Sequence, residues 1–188
     1  MKTNIIVVDD FYNNPDEVRS FALSQNFDVK GNYPGFRTKE FLSKGIADTI
    51  SELVKPFSGK FLGFSKMYSG SFQIATAKDR TWIHADSNNK WAGVCYLTPN
   101  APHTGGTGLF RHKRTGTYEQ AQLLKLPKDQ QKIEALDYTK WDLVDVIGNK
   151  YNRLVMYRGD LFHASLDYFG DTKENGRLFQ LFFFDTEF

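Results

Sequence analysis

The chain carries one cysteine, six prolines and no long run of apolar residues. A single thiol, Cys95, excludes an intrachain disulfide framework and fits a reducing compartment. Without about 20 consecutive apolar residues, no membrane-spanning helix is expected. A dominant charge is also missing: 24 basic side chains face 22 acidic ones, for a formal net charge of +2. That balance argues neither for nucleic acid nor for a membrane surface as a partner, so neither is expected. The opening MKTNIIVVDDF is too short and too acidic for a signal peptide, so the expected location is cytoplasmic. There is no internal repeat and no low-complexity segment.

What is present is aromatic weight. Seventeen phenylalanines sit mostly in short apolar runs, which favours strands and aromatic packing over a helical bundle. A length of 188 residues suffices for one domain with its own core. Ile5 to Val8 reads as a buried strand. Asn14-Pro15-Asp16-Glu17 reads as a helix start, with Asn14 as cap, proline at the first position and acids in the first turn. This helix is expected to bury Val18, Phe21 and Ala22. A loop over Gly31 to Thr38 then leads to a second helix from about Lys39 to Phe57, with Leu42, Ile46, Ile50, Leu53, Val54 and Phe57 on one face. Both helices are expected to pack on a sheet.

From Lys60 onward short strands alternate with Gly, Pro and Asn clusters, the pattern of a β-sandwich or barrel. They are expected at Phe61 to Tyr68, Ser71 to Ala75, Trp82 to Asp86, Trp91 to Thr98 and Gly108 to Arg111. Tyr118 to Gly148 reads as a helical insertion or lid, with Pro127 between two helical pieces. Strands resume at Arg153 to Arg158, Leu161 to Ser165 and Gly176 to Asp185. Arg158-Gly159-Asp160 reads as a turn rather than an adhesion tripeptide. The whole is one domain over 1–188: an N-terminal strand and helices over 1–60, then a β-rich part over 61–188 holding the insertion 118–148.

The chemistry centres on Trp82-Ile83-His84-Ala85-Asp86. In an extended strand, residues two apart share a face, so His84 and Asp86 present an imidazole and a carboxylate side by side. Two ligands do not hold a transition metal, and a hydrogen-bonded strand histidine is the plain alternative. A third ligand must come from elsewhere. His103 lies in a turn and is expected in solvent. His112, flanked by Arg111, Lys113 and Arg114, sits in a cationic setting that disfavours a divalent cation. His163, on a strand beyond the insertion, completes the best trio. Two imidazoles and one carboxylate with other positions open suit a non-haem ferrous oxygenase site. Arg177 opens a strand apolar on both faces. It calls for an anionic partner there, unless it caps the strand end at the surface.

His84-Ala85-Asp86, His163 and Arg177, in that order, resemble the His-x-Asp…His…Arg pattern of Fe(II)/2-oxoglutarate-dependent dioxygenases, in their prolyl-hydroxylase-like branch. Trp91-Ala92-Gly93-Val94-Cys95-Tyr96-Leu97-Thr98-Pro99 and Gly105-Gly106-Thr107-Gly108-Leu109-Phe110 are similar to that branch's segments after the metal pair. The likeness runs from about Phe72 to Phe184. It extends to the front third, including Tyr33-Pro34-Gly35-Phe36-Arg37, in small uncharacterised members. The resemblance implies a double-stranded β-helix, or jelly roll, of cupin-like form, with the N-terminal helices on one sheet. It implies Fe(II) held by His84, Asp86 and His163, and 2-oxoglutarate bound by Arg177 and the Tyr96 hydroxyl. It further implies O2 as co-substrate, ascorbate as reductant, and hydroxylation of a prolyl or other peptide residue, or of a small molecule.

This chain departs from the pattern in a long gap between His163 and Arg177. It lacks the second arginine of nucleic-acid demethylases, and it keeps the Asp86 carboxylate that halogenases replace. Trp91, Arg111, His112, Tyr33 and Arg37 are the candidate substrate contacts. The competing function is a cupin-like β-barrel that binds a metal or small ligand without oxidising it; such a module has no use for a carboxylate clamp.

Overall fold

A computed structural model describes residues 2–86, 88–123 and 126–187, with side chains at all of these except 122 and 123. The strands are β1 (Ile5–Val8), β2 (Phe36–Glu40), β3 (Lys60–Phe64), β4 (Ser71–Ala75) and β5 (Trp91–Tyr96), followed by β6 (Thr107–His112), β7 (Trp141–Ile147), β8 (Leu154–Arg158), β9 (His163–Ser165) and β10 (Arg177–Glu187). The helices are α1 (Pro15–Ser24), α2 (Lys44–Ser58), α3 (Gln120–Leu123) and α4 (Lys128–Leu136). The mainly-β expectation, with helices at the front and between β6 and β7, is met.

All strand pairs are antiparallel. One sheet runs β1-β8-β5-β10-β4-β2, with β3 on the far half of β10; a smaller sheet runs β7-β6-β9. No helix among the described residues is long and apolar enough to cross a membrane.

Strand alternation on β10 divides the interior in two. Leu178, Phe182 and Phe184 face the helices, where Ala22 of α1 and Ile50 and Val54 of α2 are fully buried. Phe179 and Leu181 face the other way, into a core between the sheets shared with Val94, Tyr96, Leu109 and Tyr157. On β5 the same period puts Tyr96 between the sheets and Cys95 among the helices. Cys95 is wholly buried, and burial pushes its thiol well above the ordinary range. It should therefore resist a thiol reagent in the native protein and react with one equivalent after denaturation. A reactive thiol in the folded state would contradict this packing.

Three expectations need correction. Phe36 to Glu40 is a strand pairing with β4, not loop and helix start; α2 begins at Lys44, where Ser43 accepts the Ile46 N–H at 3.2 Å. Leu42 therefore precedes the helix and, like Phe57 and Phe21, is largely exposed. The helical insertion ends earlier than Gly148, because β7 occupies its last part and pairs with β6. Within this insertion, 124 and 125 lie outside the described residues. β7 escaped detection because it is an edge strand: Leu143, Val144 and Val146 are exposed, so no in–out alternation marks it.

Candidate metal centre

His84 does not lie in a regular strand. It makes an isolated antiparallel bridge to His163 of β9, with His84 N–H donating to the His163 carbonyl at 3.0 Å and His163 N–H returning at 2.8 Å. The flanking amides go elsewhere: Ile83 N–H donates to Ala135 at the end of α4, and Asp86 N–H to the Gly159 carbonyl at 2.7 Å. Three separate segments thus fix the His84–Asp86 backbone. The turn after β8 is one of them, and Gly159 is needed there for close approach. A Cβ at Gly159 would sit 2.5 Å from the Asn89 carbonyl and 2.9 Å from that of Asp86. Gly159→Ala should destabilise the fold by about 1–3 kcal/mol through overpacking and weaken nickel binding; thermal unfolding and metal titration read the two effects. An unchanged metal affinity would show that the turn does not position Asp86.

The ligand atoms of His84, Asp86 and His163 all lie within 4.8 Å of one another. His163 Nε2 is 3.3 Å from Asp86 Oδ2, and His84 Nε2 is 3.9 Å from Oδ1. The Nδ1 atoms face backbone carbonyls, that of His84 at 3.1 Å from Trp82 O and that of His163 at 2.8 Å from Leu161 O. A carbonyl only accepts, so the proton resides on Nδ1 and the Nε2 lone pair is left for a metal. Burial, reinforced by His163, lowers the His84 pKa to about 4 against the pull of Asp86. Burial alone would raise Asp86, but His163, then His84 and Arg37, hold its carboxyl below the ordinary value. A neutral imidazole and an ionised carboxylate are the protonation states that coordination requires.

A cavity of about 690 Å³ opens on the trio; its lining includes Tyr157, Thr107, Phe179, Tyr168, Arg37 and Tyr33. Arg177 and Tyr96 do not line this cavity; each touches a residue that does, Arg177 the Phe179 ring and Tyr96 the Thr107 hydroxyl. Arg177 is 1% exposed; Nε donates to Gly105 O at 2.7 Å and Nη2 to Gly106 O at 3.2 Å. Its Nη1 has no hydrogen-bond partner among the described residues. Among the described residues no carboxylate pairs with the guanidinium; instead it lies 4.4 Å from the Phe179 ring centre and 5.3 Å from that of Tyr96. The Tyr96 hydroxyl shares a 2.7 Å hydrogen bond with Thr107 Oγ1. Burial raises the Tyr96 pKa, and Arg177 pulls against that rise. A buried cation with a free donor, beside a buried phenol, fits an anion supplied from outside the chain.

Other expected contacts lie away from this cavity. Trp91 faces the helices, stacked parallel on Phe184 at 6.2 Å, its indole N–H donating to Thr186. Arg111 is exposed and paired with Asp142 at 2.6 Å. His112 is fully buried, with Nε2 2.5 Å from Glu134 of α4 and its ring against Trp141. Its acidic partner comes from the insertion, so the flanking cations misled the local reading. Tyr33 and Arg37 do line the cavity. Thr107, Tyr157 and Tyr168 were not foreseen. Tyr157 lies 4.5 Å from the His163 ring and shares the inward face of β8 with Val155, a placement that strand period could have exposed.

No curated protein matches the chain significantly. Solved structures do share its fold. HygX from Streptomyces hygroscopicus, solved with nickel, 2-oxoglutarate and hygromycin B bound, superposes with a TM-score of 0.64 at 13% identity, covering 100% of this chain and 84% of HygX. EctD from S. alaskensis, solved with 2-oxoglutarate and 5-hydroxyectoine, gives 0.57 at 12%, covering 98% and 73%. The prolyl hydroxylase of Trichoplax adhaerens, in complex with a hypoxia inducible factor peptide fragment, gives 0.55 at 13%, covering 97% and 84%. This chain thus shares its fold with HygX, EctD and that prolyl hydroxylase. A family profile matches residues 1–184, and the chain belongs to that family, DUF6445, a family of unknown function.

Proposed function

We propose that this chain is an Fe(II)- and 2-oxoglutarate-dependent dioxygenase built on a double-stranded β-helix. Strand order supports the fold reading: β4-β10-β5-β8 stand in one sheet, and the His84 bridge extends β9-β6-β7 in the other. His84, Asp86 and His163 would hold the iron, and Arg177 with Tyr96 the distal carboxylate of 2-oxoglutarate. Bound together with O2, these cofactors supply the oxidising power to hydroxylate an unactivated C–H bond.

The chain's own residues bind, orient and exclude water; none need act as a general base. The Nδ1 hydrogen bonds to Trp82 and Leu161 fix both imidazoles with Nε2 towards the ion. The Tyr96 hydroxyl can accept from Thr107 and donate to the same carboxylate that Arg177 neutralises. The observation that carries the reading is the free Nη1 of a fully buried Arg177. A cupin-like metal binder gives no reason to bury that charge unpaired. A prolyl or other peptide residue fits a cavity of about 690 Å³, as does a small molecule. A cytoplasmic setting suits both ferrous iron and the single thiol. The test is succinate release in air with Fe(II), 2-oxoglutarate and ascorbate. Release requiring both iron and 2-oxoglutarate is expected, and its absence from metal-loaded, folded protein would overturn the proposal.

A further inference from the structure

A second arginine lines the cavity itself. Arg37 of β2 pairs in register with Gln73 of β4. Its Nε donates to Gln73 Oε1 at 2.6 Å, while Gln73 Nε2 donates to Pro34 O at 2.6 Å. The guanidinium carbon lies 3.7 Å from the Tyr33 ring centre and 4.7 Å from that of Tyr68, and the two rings meet edge to face. Both supports use unusual backbone: Gly35 (φ 70°), whose amide donates to Asp79, and Tyr68, a non-glycine residue held at φ 64°. No carboxylate forms an ion pair with Arg37 among the described residues, and its two terminal nitrogens carry no hydrogen bond there. Burial lowers its pKa to about 10, so it remains a cation at neutral pH.

Charge balance then indicates what is missing. Among the described residues lining the cavity, Arg37 is the only Lys or Arg and Asp86 the only acid. Under the dioxygenase reading, the two positive charges of iron and the one of Arg177 are matched by Asp86 and the two carboxylates of 2-oxoglutarate. Arg37 is left unmatched. We infer, resting on that reading, that the substrate is a monocarboxylate whose carboxyl group is bound by the terminal nitrogens of Arg37 between Tyr33 and Tyr68. One planar fork matches one planar carboxylate; a phosphate dianion would call for a second cation.

The probes are two pools: the standard amino acids with their N-acetyl derivatives, and the corresponding carboxamides. Each is added to nickel- and 2-oxoglutarate-loaded protein, followed by thermal unfolding, and to iron-loaded protein, followed by succinate release. The acid pool should raise the unfolding temperature and stimulate succinate; the amide pool should do neither. Arg37→Gln should need about 10- to 100-fold more acid for the same response, and Arg37→Lys should recover part of the loss. Equal responses to acids and amides, no response to either, or a wild-type response from Arg37→Gln would overturn the inference. Should Arg37→Gln instead lose affinity for 2-oxoglutarate, Arg37 serves the co-substrate, and this inference falls while the dioxygenase reading stands. Wild-type protein binding neither nickel nor 2-oxoglutarate would remove that reading and this inference with it.

Discussion

His163→Ala should reduce affinity for Fe(II) or Ni(II) by more than about 100-fold and abolish 2-oxoglutarate turnover. Loss of an outer partner that merely orients a ligand costs about 10- to 100-fold in metal affinity, so removing the ligand itself should cost more. His163 is 3% exposed and supplies the only imidazole nitrogen within 3.5 Å of the Asp86 carboxylate among the described residues. Its backbone bridge to His84 is made by main-chain atoms, so alanine leaves that pairing available. The fold should therefore survive, although the cavity left against Tyr157 lowers its stability. Calorimetric metal titration beside thermal unfolding separates the two effects. A His163→Ala protein that is folded and binds nickel as tightly as wild type would show that the trio is no metal site.

The second large effect is expected at Arg177. Arg177→Gln should weaken 2-oxoglutarate binding by about 30- to 4,000-fold, the 2–5 kcal/mol lost when one member of a buried, hydrogen-bonded charge pair is truncated. The sign for stability differs between states. In the protein without 2-oxoglutarate the buried charge has no anionic partner among the described residues, where the Gly105 and Gly106 carbonyls hold it. The glutamine removes that uncompensated charge but leaves a carbonyl unpaired, so the two changes oppose each other. Added 2-oxoglutarate should raise the unfolding temperature of nickel-loaded wild type and leave Arg177→Gln almost unmoved. Equal stabilisation of both proteins would place the anion elsewhere.

Much of this site was legible in the residues. His84 and Asp86 are two apart, and the period of an extended chain put them on one face although the local structure is a single bridge rather than a strand. His163 was reached by excluding two histidines in unsuitable settings. For His112 the ground was incomplete, because its acidic partner Glu134 lies in a helix that no local window contains. Trp91 and Arg111 fall outside the cavity on the trio, Trp91 packed in the helix-side core and Arg111 paired with Asp142; position in sequence alone does not say which side of a sheet a residue takes. Alternation does say it, and applied to β5 it sends Trp91 to the helices and Tyr96 to the inter-sheet core.

The fold was read with the same unevenness. Buried strands such as β5, β8 and β10 stand out as apolar runs. Exposed β2 and the edge strand β7 do not, since they expose most of their side chains and lack the in–out contrast on which pattern reading depends. Arg37 shows the same limit at the site. Its support by Gln73, Tyr33 and Tyr68 comes from pairing β2 with β4, which the sequence presented as a loop entering a helix.

The most direct test is an anaerobic titration of the purified protein with Fe(II) and then 2-oxoglutarate, followed in the visible range. One equivalent of each should produce the weak charge-transfer absorption of a 2-oxoglutarate chelate on ferrous iron. The band should be lost in His84→Ala and His163→Ala and shifted to far higher 2-oxoglutarate concentration in Arg177→Gln. An unchanged band in the histidine variants, or none in folded wild-type protein at saturating iron, would contradict the assignment of these residues.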